Sequence, residues 1–265
     1  MINLLRYHMK IFFAPFTLLI VPLVYALNAL TVVSINQGVL PGDLWHAAAF
    51  PLYIPINLKF DLPRWFIILL PYMMITTLYV QNELHHRFSL TLIRSGNALL
   101  WLNSMIVVII KLIMVTTLAG FFVNLFAGVL FGDTQSNMVQ LLPVFTDSSG
   151  IRLMIGEYFM MILSISISVL LNILFILFIG HGGLATLTVI ILVSVSTVTA
   201  FLIPPIIPWL PLNSGMAALK EMNNFPLAYG LISGCVALAI LVAVMNLVFK
   251  YKLEQILIGN QGRGL

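Results

Sequence analysis

Charge is what this chain has least of. Only 8% of its 265 residues are Asp, Glu, Lys or Arg, against roughly 25% in a soluble domain. So few charges cannot cover a water-facing surface, while 61% of the residues are hydrophobic and the mean hydropathy is +1.10. Lipid is the expected solvent for most of the chain. Cysteine is nearly missing too. Cys235 stands alone, which excludes an intrachain disulfide and a Cys-rich metal site; its place inside an apolar run reads as that of a small core residue. A G-x-x-x-x-G-K-S/T phosphate loop and an H-E-x-x-H pair are absent, so the chain lacks the usual cradle for ATP and a helical zinc pair. His85 and His86 are adjacent, point about 100° apart on a helix and do not converge on one metal. The spans offer no Asp or His to orient a nucleophile. Glu157, at the expected start of the fourth span, reads as a helix N-terminal cap rather than a base.

What is present is long apolar runs. A crossing helix needs about 20 apolar residues, and six runs qualify: 11–33, 65–81, 99–126, 157–179, 184–203 and 229–249. The expected fold is an all-α integral membrane protein, a single transmembrane domain over 1–265. The first run is too long for a signal peptide and lacks a small-x-small cleavage site, so it reads as a retained anchor. "GHGG", Gly180 to Gly183, joins the fourth and fifth runs as a tight hairpin. Six spans put both termini on one side. That side holds seven basic residues, Arg6, Lys10, Arg87, Arg94, Lys250, Lys252 and Arg263. The other holds four, Lys59, Arg64, Arg152 and Lys220, with six of the eight acids. Lys and Arg bias sets orientation, so both termini are expected in the cytoplasm.

The outer loops are apolar and broken by proline. Gln37 to Arg64 and the re-entrant-like 204–226 read as interfacial or dipping segments, with ordinary loops as the alternative; Trp45, Tyr53, Trp65 and Trp209 suit the interface. Lys111 is the one basic residue inside a run. It is either a functional ammonium within the membrane or a side chain that snorkels to the inner interface. Ser164, Ser168 and Asn172 fall at i, i+4, i+8 on one helical face. They pack helices together or, with Lys111 and Asn124, line a transport route.

Between the second and third runs, from Asn82 to Trp101, the sequence turns polar. Leu84, Phe88 and Leu92 recur every four residues, and Glu83 and Arg87 form an i, i+4 pair worth about 0.2–0.5 kcal/mol. A short amphipathic helix follows, then the break "RSGN". A helix this short is marginal alone, so a lipid surface or a groove on a soluble partner must hold its apolar face.

A glutamate leaving the second span, a short helix, and then "RSGNALLWLNS" entering the third resemble the type-2 export permeases of ABC transporters. Glu83, Arg94, Asn97, Trp101 and Ser104 occupy the positions of that family's intracellular-loop motif. "LLRYHMK", within 1–10, is similar to its elbow helix, and "IPWLPLNSGM" to its Pro-rich segment before the last span. Many relatives carry a lysine where this chain has Asn103 or Ser104. The resemblance covers the whole chain in layout. It implies a six-helix permease in the plasma membrane of a bacterial cell, without catalytic or metal-binding residues, paired with an identical or related permease chain. It also implies a cytosolic ATPase that binds ATP and Mg and docks on the coupling loop 82–98, through Glu83, Leu84, Arg87, Phe88, Leu92 and Arg94. No nucleic-acid partner is expected. The charge-poor spans point to an apolar or amphipathic cargo, such as a hydrophobic peptide, toxin, drug or lipid. The alternative is an ATP-independent secondary transporter using Lys111 as a coupling residue.

Overall fold

The computed structural model describes residues 2–36, 38–41, 43–52, 58–83, 97–133, 150–213, 215–216, 223 and 225–261. Eight α-helices follow in order among them: α1 (Ile2–Phe12), α2 (Pro15–Ile35), α3 (Leu44–Ala49), α4 (Leu58–Asn82), α5 (Ala98–Phe131), α6 (Gly150–Ile179), α7 (Gly182–Leu202) and α8 (Leu227–Gln261). Six, all but α1 and α3, are long and apolar enough to cross a membrane, as an all-α multi-pass membrane protein requires. Of the expected coupling loop 82–98, Asn82 closes α4 and Ala98 opens α5; its helix falls largely on 84–96, which lies outside the described residues.

The runs foretold the spans, but the helices extend past them. Pro15 separates α1 from α2 and occupies the first turn of α2, where a missing N–H costs nothing. The second span begins at Leu58 rather than residue 65 and keeps Pro63 and Pro71 inside it. Proline is tolerated in a membrane helix when neighbouring groups satisfy the freed carbonyls. The fourth span begins at Gly150 rather than residue 157. Glu157 is therefore two turns inside α6 and buried; it does not cap the helix N-terminus. The helix continues upstream because Leu153 and Met154 bury an apolar face there, while Arg152 stays exposed.

Two elements escaped the sequence reading. α3 is a short helix whose Ala47, Ala48 and Ala49 are buried against α5 and α6. Asp43 starts it by accepting from the Trp45 and His46 backbone N–H groups, both at 3.0 Å, as N-cap residues do. Beside it, Leu40–Pro41 and Gly132–Asp133 form a two-residue parallel pair, Leu40 opposite Gly132. The Pro-rich segment after α7 forms 3-10 turns at Pro204–Trp209 and Pro211–Asn213, with Ile207, Asn213 and Met216 buried against the bundle.

α6 is the central helix: 72% of its spanning window is buried, against 17% for α8. The main core gathers Tyr25, Trp65, Tyr72, Trp101, Met105 and Ile165, and a smaller one at the α3 end gathers Ala29, Leu40, Leu153 and Met154. α8 turns most of its surface outward. Cys235 consequently is exposed, which corrects its reading as a core residue.

Candidate coupling site

Four residues of the motif attributed to the coupling loop, Glu83, Asn97, Trp101 and Ser104, flank 84–96, and α1 contacts two of them, Glu83 and Trp101. In α1, Leu4, His8 and Phe12 recur every four residues, so His8 lies on the apolar stripe rather than the solvent face. His8 is fully buried. Its Nδ1 shares a 2.5 Å hydrogen bond with the Tyr79 hydroxyl, one turn before the end of α4. Tyr7, beside it, donates to Glu83 Oε1 at 2.8 Å. The Trp101 ring stands edge-on to His8 at 5.9 Å and stacks on Phe249 of α8 at 5.8 Å. Phe12 packs on Tyr79 at 4.2 Å. One end of the bundle therefore joins α1, α4, α5 and α8.

Burial pushes the His8 imidazole down from its ordinary 6.5 to about 4, with a hydrogen bond at the Trp101 backbone acting in opposition. A buried imidazolium would lose its hydration without an equivalent replacement. His8 is thus neutral at pH 7 and serves as a packed, hydrogen-bonded wedge.

The segment 84–96 is bracketed by residues locked in place. Glu83, at its start, is buried and bonded to Tyr7. Asn97, at its end, is the N-cap of α5, its Oδ1 accepting from the N–H groups of Leu99 at 2.9 Å and Leu100 at 3.3 Å. Ser104 donates back to the Trp101 carbonyl at 2.8 Å. Leu84, Arg87, Phe88, Leu92 and Arg94 lie outside the described residues. Sequence reasoning named Glu83, Asn97, Trp101 and Ser104 but missed Tyr7, His8 and Tyr79. The signal available was the histidine on the apolar stripe of α1.

From this end, polar ties run into the bundle. Asn172 Nδ2 donates to Thr77 Oγ1 at 2.7 Å, and Thr186 donates to Asn172 Oδ1 at 3.3 Å, binding α4, α6 and α7 at one point. A Cβ on Gly182 would lie 2.3 Å from Thr77 Cγ2, so the "GHGG" hairpin presses directly on α4. Gly180, at φ +75°, makes the reversal. Tyr72 joins Thr116 and Thr117, both at 3.1 Å, tying α4 to α5. Asn246 donates to Asn103 at 3.1 Å, tying α8 to α5.

The expected route residues differ in their contacts. Asn172 belongs to the helix-binding network just described. Ser164 donates to the Leu212 carbonyl at 2.9 Å and holds the Pro-rich segment against α6. Ser168 and Asn124 are fully buried, and among the described residues their side-chain polar atoms have no hydrogen-bond partner. Lys111 is exposed on α5, its Nζ 3.7 Å from Met9 Sδ of α1. Among the described residues no group of three or more His, Cys, Asp or Glu is placed to hold a metal.

At the opposite end, Arg64 Nη1 donates to Asp61 Oδ1 at 2.6 Å, while its Nη2 donates to the Pro51 carbonyl at 2.7 Å and Nε to Asn28 Oδ1 at 3.1 Å. Asn28 also donates to the Pro51 carbonyl at 3.0 Å. This knot fixes α2, the turn after α3 and the start of α4 together. No protein-family profile, curated protein or solved structure matches the chain at a significant level.

Proposed function

We propose that this chain is the membrane-spanning permease subunit of an ATP-driven ABC exporter of the type-2 kind. Segment 84–96 would be the contact on which a separate cytosolic ATPase, holding ATP and Mg, pushes. The observation that carries the reading is the anchoring of both ends of that segment. Glu83 is tied to α1 and Asn97 caps α5, so a load applied between them passes to α4 and α5 together. An external motor moves a bundle only through contacts that differ between two states, and rigid ends transmit such a difference where slack ends would absorb it.

The ties from α4 to α6 and α7 through Asn172, and from α4 to α5 through Tyr72, extend that load to four spans. The bundle then rocks between inward-open and outward-open forms, with a second permease chain, identical or related, completing the pathway. Cargo is apolar or amphipathic, a hydrophobic peptide, toxin, drug or lipid, because the interior offers hydroxyls and amides but few charges. The cytoplasmic placement of segment 84–96 follows from the basic-residue bias, and a bacterial plasma membrane from the resemblance to the export permeases. The secondary-transport alternative draws little from Lys111, whose ammonium rests against α1 at the surface.

The test is to replace Arg87 and Arg94 together by Glu. ATPase subunits should cease to co-purify while membrane insertion and thermal stability are retained. Undiminished ATPase recovery would reject the docking role of this segment.

A further inference from the structure

The Pro-rich segment and α8 enclose a groove of about 480 Å3, within the roughly 300–1,000 Å3 typical of small-molecule sites. Pro208, Trp209 and Pro211 form one wall. On α8, Ser233 and Ala237 make a shallow floor, bounded by the ridge of Ile232, Val236 and Ile240.

The chemistry of this lining selects hydrocarbon. Among the described residues no charged side chain touches the groove. Pro208 and Pro211 have no backbone N–H, and the intervening Leu210 N–H is satisfied by the Ile207 carbonyl at 3.2 Å. The Ser233 hydroxyl donates to the Gly230 carbonyl of its own helix at 3.3 Å. The remaining polar groups of the lining are the Tyr229 hydroxyl and the Trp209 indole N–H; along the rest of the groove an extended peptide's donors and acceptors would meet apolar side chains, at several kcal/mol for each unsatisfied group in lipid. An alkyl chain brings none.

The dimensions select one leaflet. From Tyr229 to Ile240 the helix rises about 16 Å, half of a hydrocarbon core about 30 Å thick. These residues fall in the first half of the span Ala228–Tyr251. Tyr229, at the groove's end near the start of that span, and Trp209, 80% exposed, are the amphipathic aromatics found at headgroup level. The groove is also continuous with the outward face of α8, where Ile232, Val236, Ile240, Leu247 and Tyr251 are all exposed in a helix that spans the membrane.

We propose that this groove holds a single acyl chain of a membrane lipid, drawn from the leaflet at the Pro-rich end. The site is independent of the ATPase-docking reading and stands or falls separately from it. The chain seals a gap that protein side chains leave between the last span and the segment 204–213, and so holds that segment on the bundle.

The test uses the purified full-length chain in nanodiscs of phosphatidylcholine containing increasing fractions of acyl-brominated phosphatidylcholine. Trp209 quenching is taken as the wild-type signal minus that of Trp209→Phe. One lipid position in contact with Trp209 predicts quenching linear in the brominated fraction, because brominated and ordinary chains compete equally for it; quenching that rises steeply at low fraction and then levels off, as several exchanging annular contacts give, overturns the proposal. In native mass spectrometry, the wild type should keep one phosphatidylcholine per chain under detergent that strips the rest. Ala237→Phe and Ile240→Trp, which fill the groove from its floor and rim, should reduce that occupancy at least tenfold with unchanged melting temperature. Equal retention by wild type and both variants overturns the proposal. So does efficient disulfide formation between Val236→Cys chains in a Cys235→Ser background, which would place a second copy over the groove.

Discussion

His8 and Tyr7 are adjacent residues with opposite tasks. Tyr7 reaches out to Glu83, while His8 is driven inward between Tyr79 and Trp101. Because the folded-state pKa of His8 lies near 4 against an ordinary 6.5, folding favours the neutral ring. Its contribution is present above pH 6.5 and disappears as pH falls toward 4, where a released His8 takes up a proton that the docked one resists. A depression of this size corresponds to about 3 kcal/mol when fully expressed. Acidification from pH 7 to pH 4 should raise hydrogen exchange in α1 and at the end of α4, and His8→Gln should flatten that response; identical pH profiles in the two proteins would remove His8 from the account. Tyr7→Phe is a milder change. It deletes one hydrogen bond, worth about 0.5–1.5 kcal/mol, and should loosen Glu83 without displacing α1, read as faster exchange confined to the α4 end.

Between elements, small residues and polar ties set the geometry. Gly182→Val would force a branched side chain into Thr77 and Gln81, and such overpacking costs typically about 1–3 kcal/mol. The melting temperature in detergent should fall clearly. Gly183→Ala should fall less, because its nearest neighbour is the His181 ring at 3.2 Å, within the same hairpin. Asn172→Leu removes the three-helix tie and should cost about 0.6–1.7 kcal/mol, the range measured for hydrogen bonds between membrane helices. At the opposite end, Arg64→Met leaves Asp61 buried without its cation, a loss of about 3–5 kcal/mol. The double change with Asp61→Asn should recover much of it. If the double variant melts no higher than Arg64→Met, the ion pair is not what holds that end.

The spans themselves were legible because apolar length alone defines them, and the "GHGG" reversal because glycine with positive φ is a local requirement. Helix ends were not. Gly150 and Leu58 lie well outside the hydropathic windows; Gly150 is buried against α3, and the start of the second span is held by the Arg64 ties to Pro51 and Asn28. α3 was hidden for a related reason: three alanines carry too weak a pattern to announce a helix, and their burial comes from α5 and α6. At the candidate site, Glu83 and Trp101 could be named from spacing. The Tyr7–Glu83 and His8–Tyr79 pairings could not, because contacts 76 and 71 residues apart leave no mark in a single sequence.

At the scale of the molecule, the helices form a bundle with distinct ends. One is closed by α3, the short parallel strand pair and the Arg64 knot. The other gathers α1, Glu83, Trp101 and Phe249 around the flanks of segment 84–96. α6 runs through the middle and α8 lies at the side with its apolar face outward. In the proposed exporter, force enters at the α1 end and is carried by the ties of α4 to α5, α6 and α7. Breaking those ties should separate ATP hydrolysis from transport: Asn172→Leu should keep ATPase co-purification while lowering cargo export.

The central claim is that segment 84–96 receives an external ATPase. It is tested most directly by placing a photoreactive benzoylphenylalanine at Phe88 in cells carrying the native partners, then asking what the segment captures. The account predicts an adduct with a nucleotide-binding subunit, labelled by azido-ATP, that disappears when Arg87 and Arg94 are changed to Glu. An adduct with lipid alone, or unaided cargo transport by the purified chain in liposomes, would contradict it.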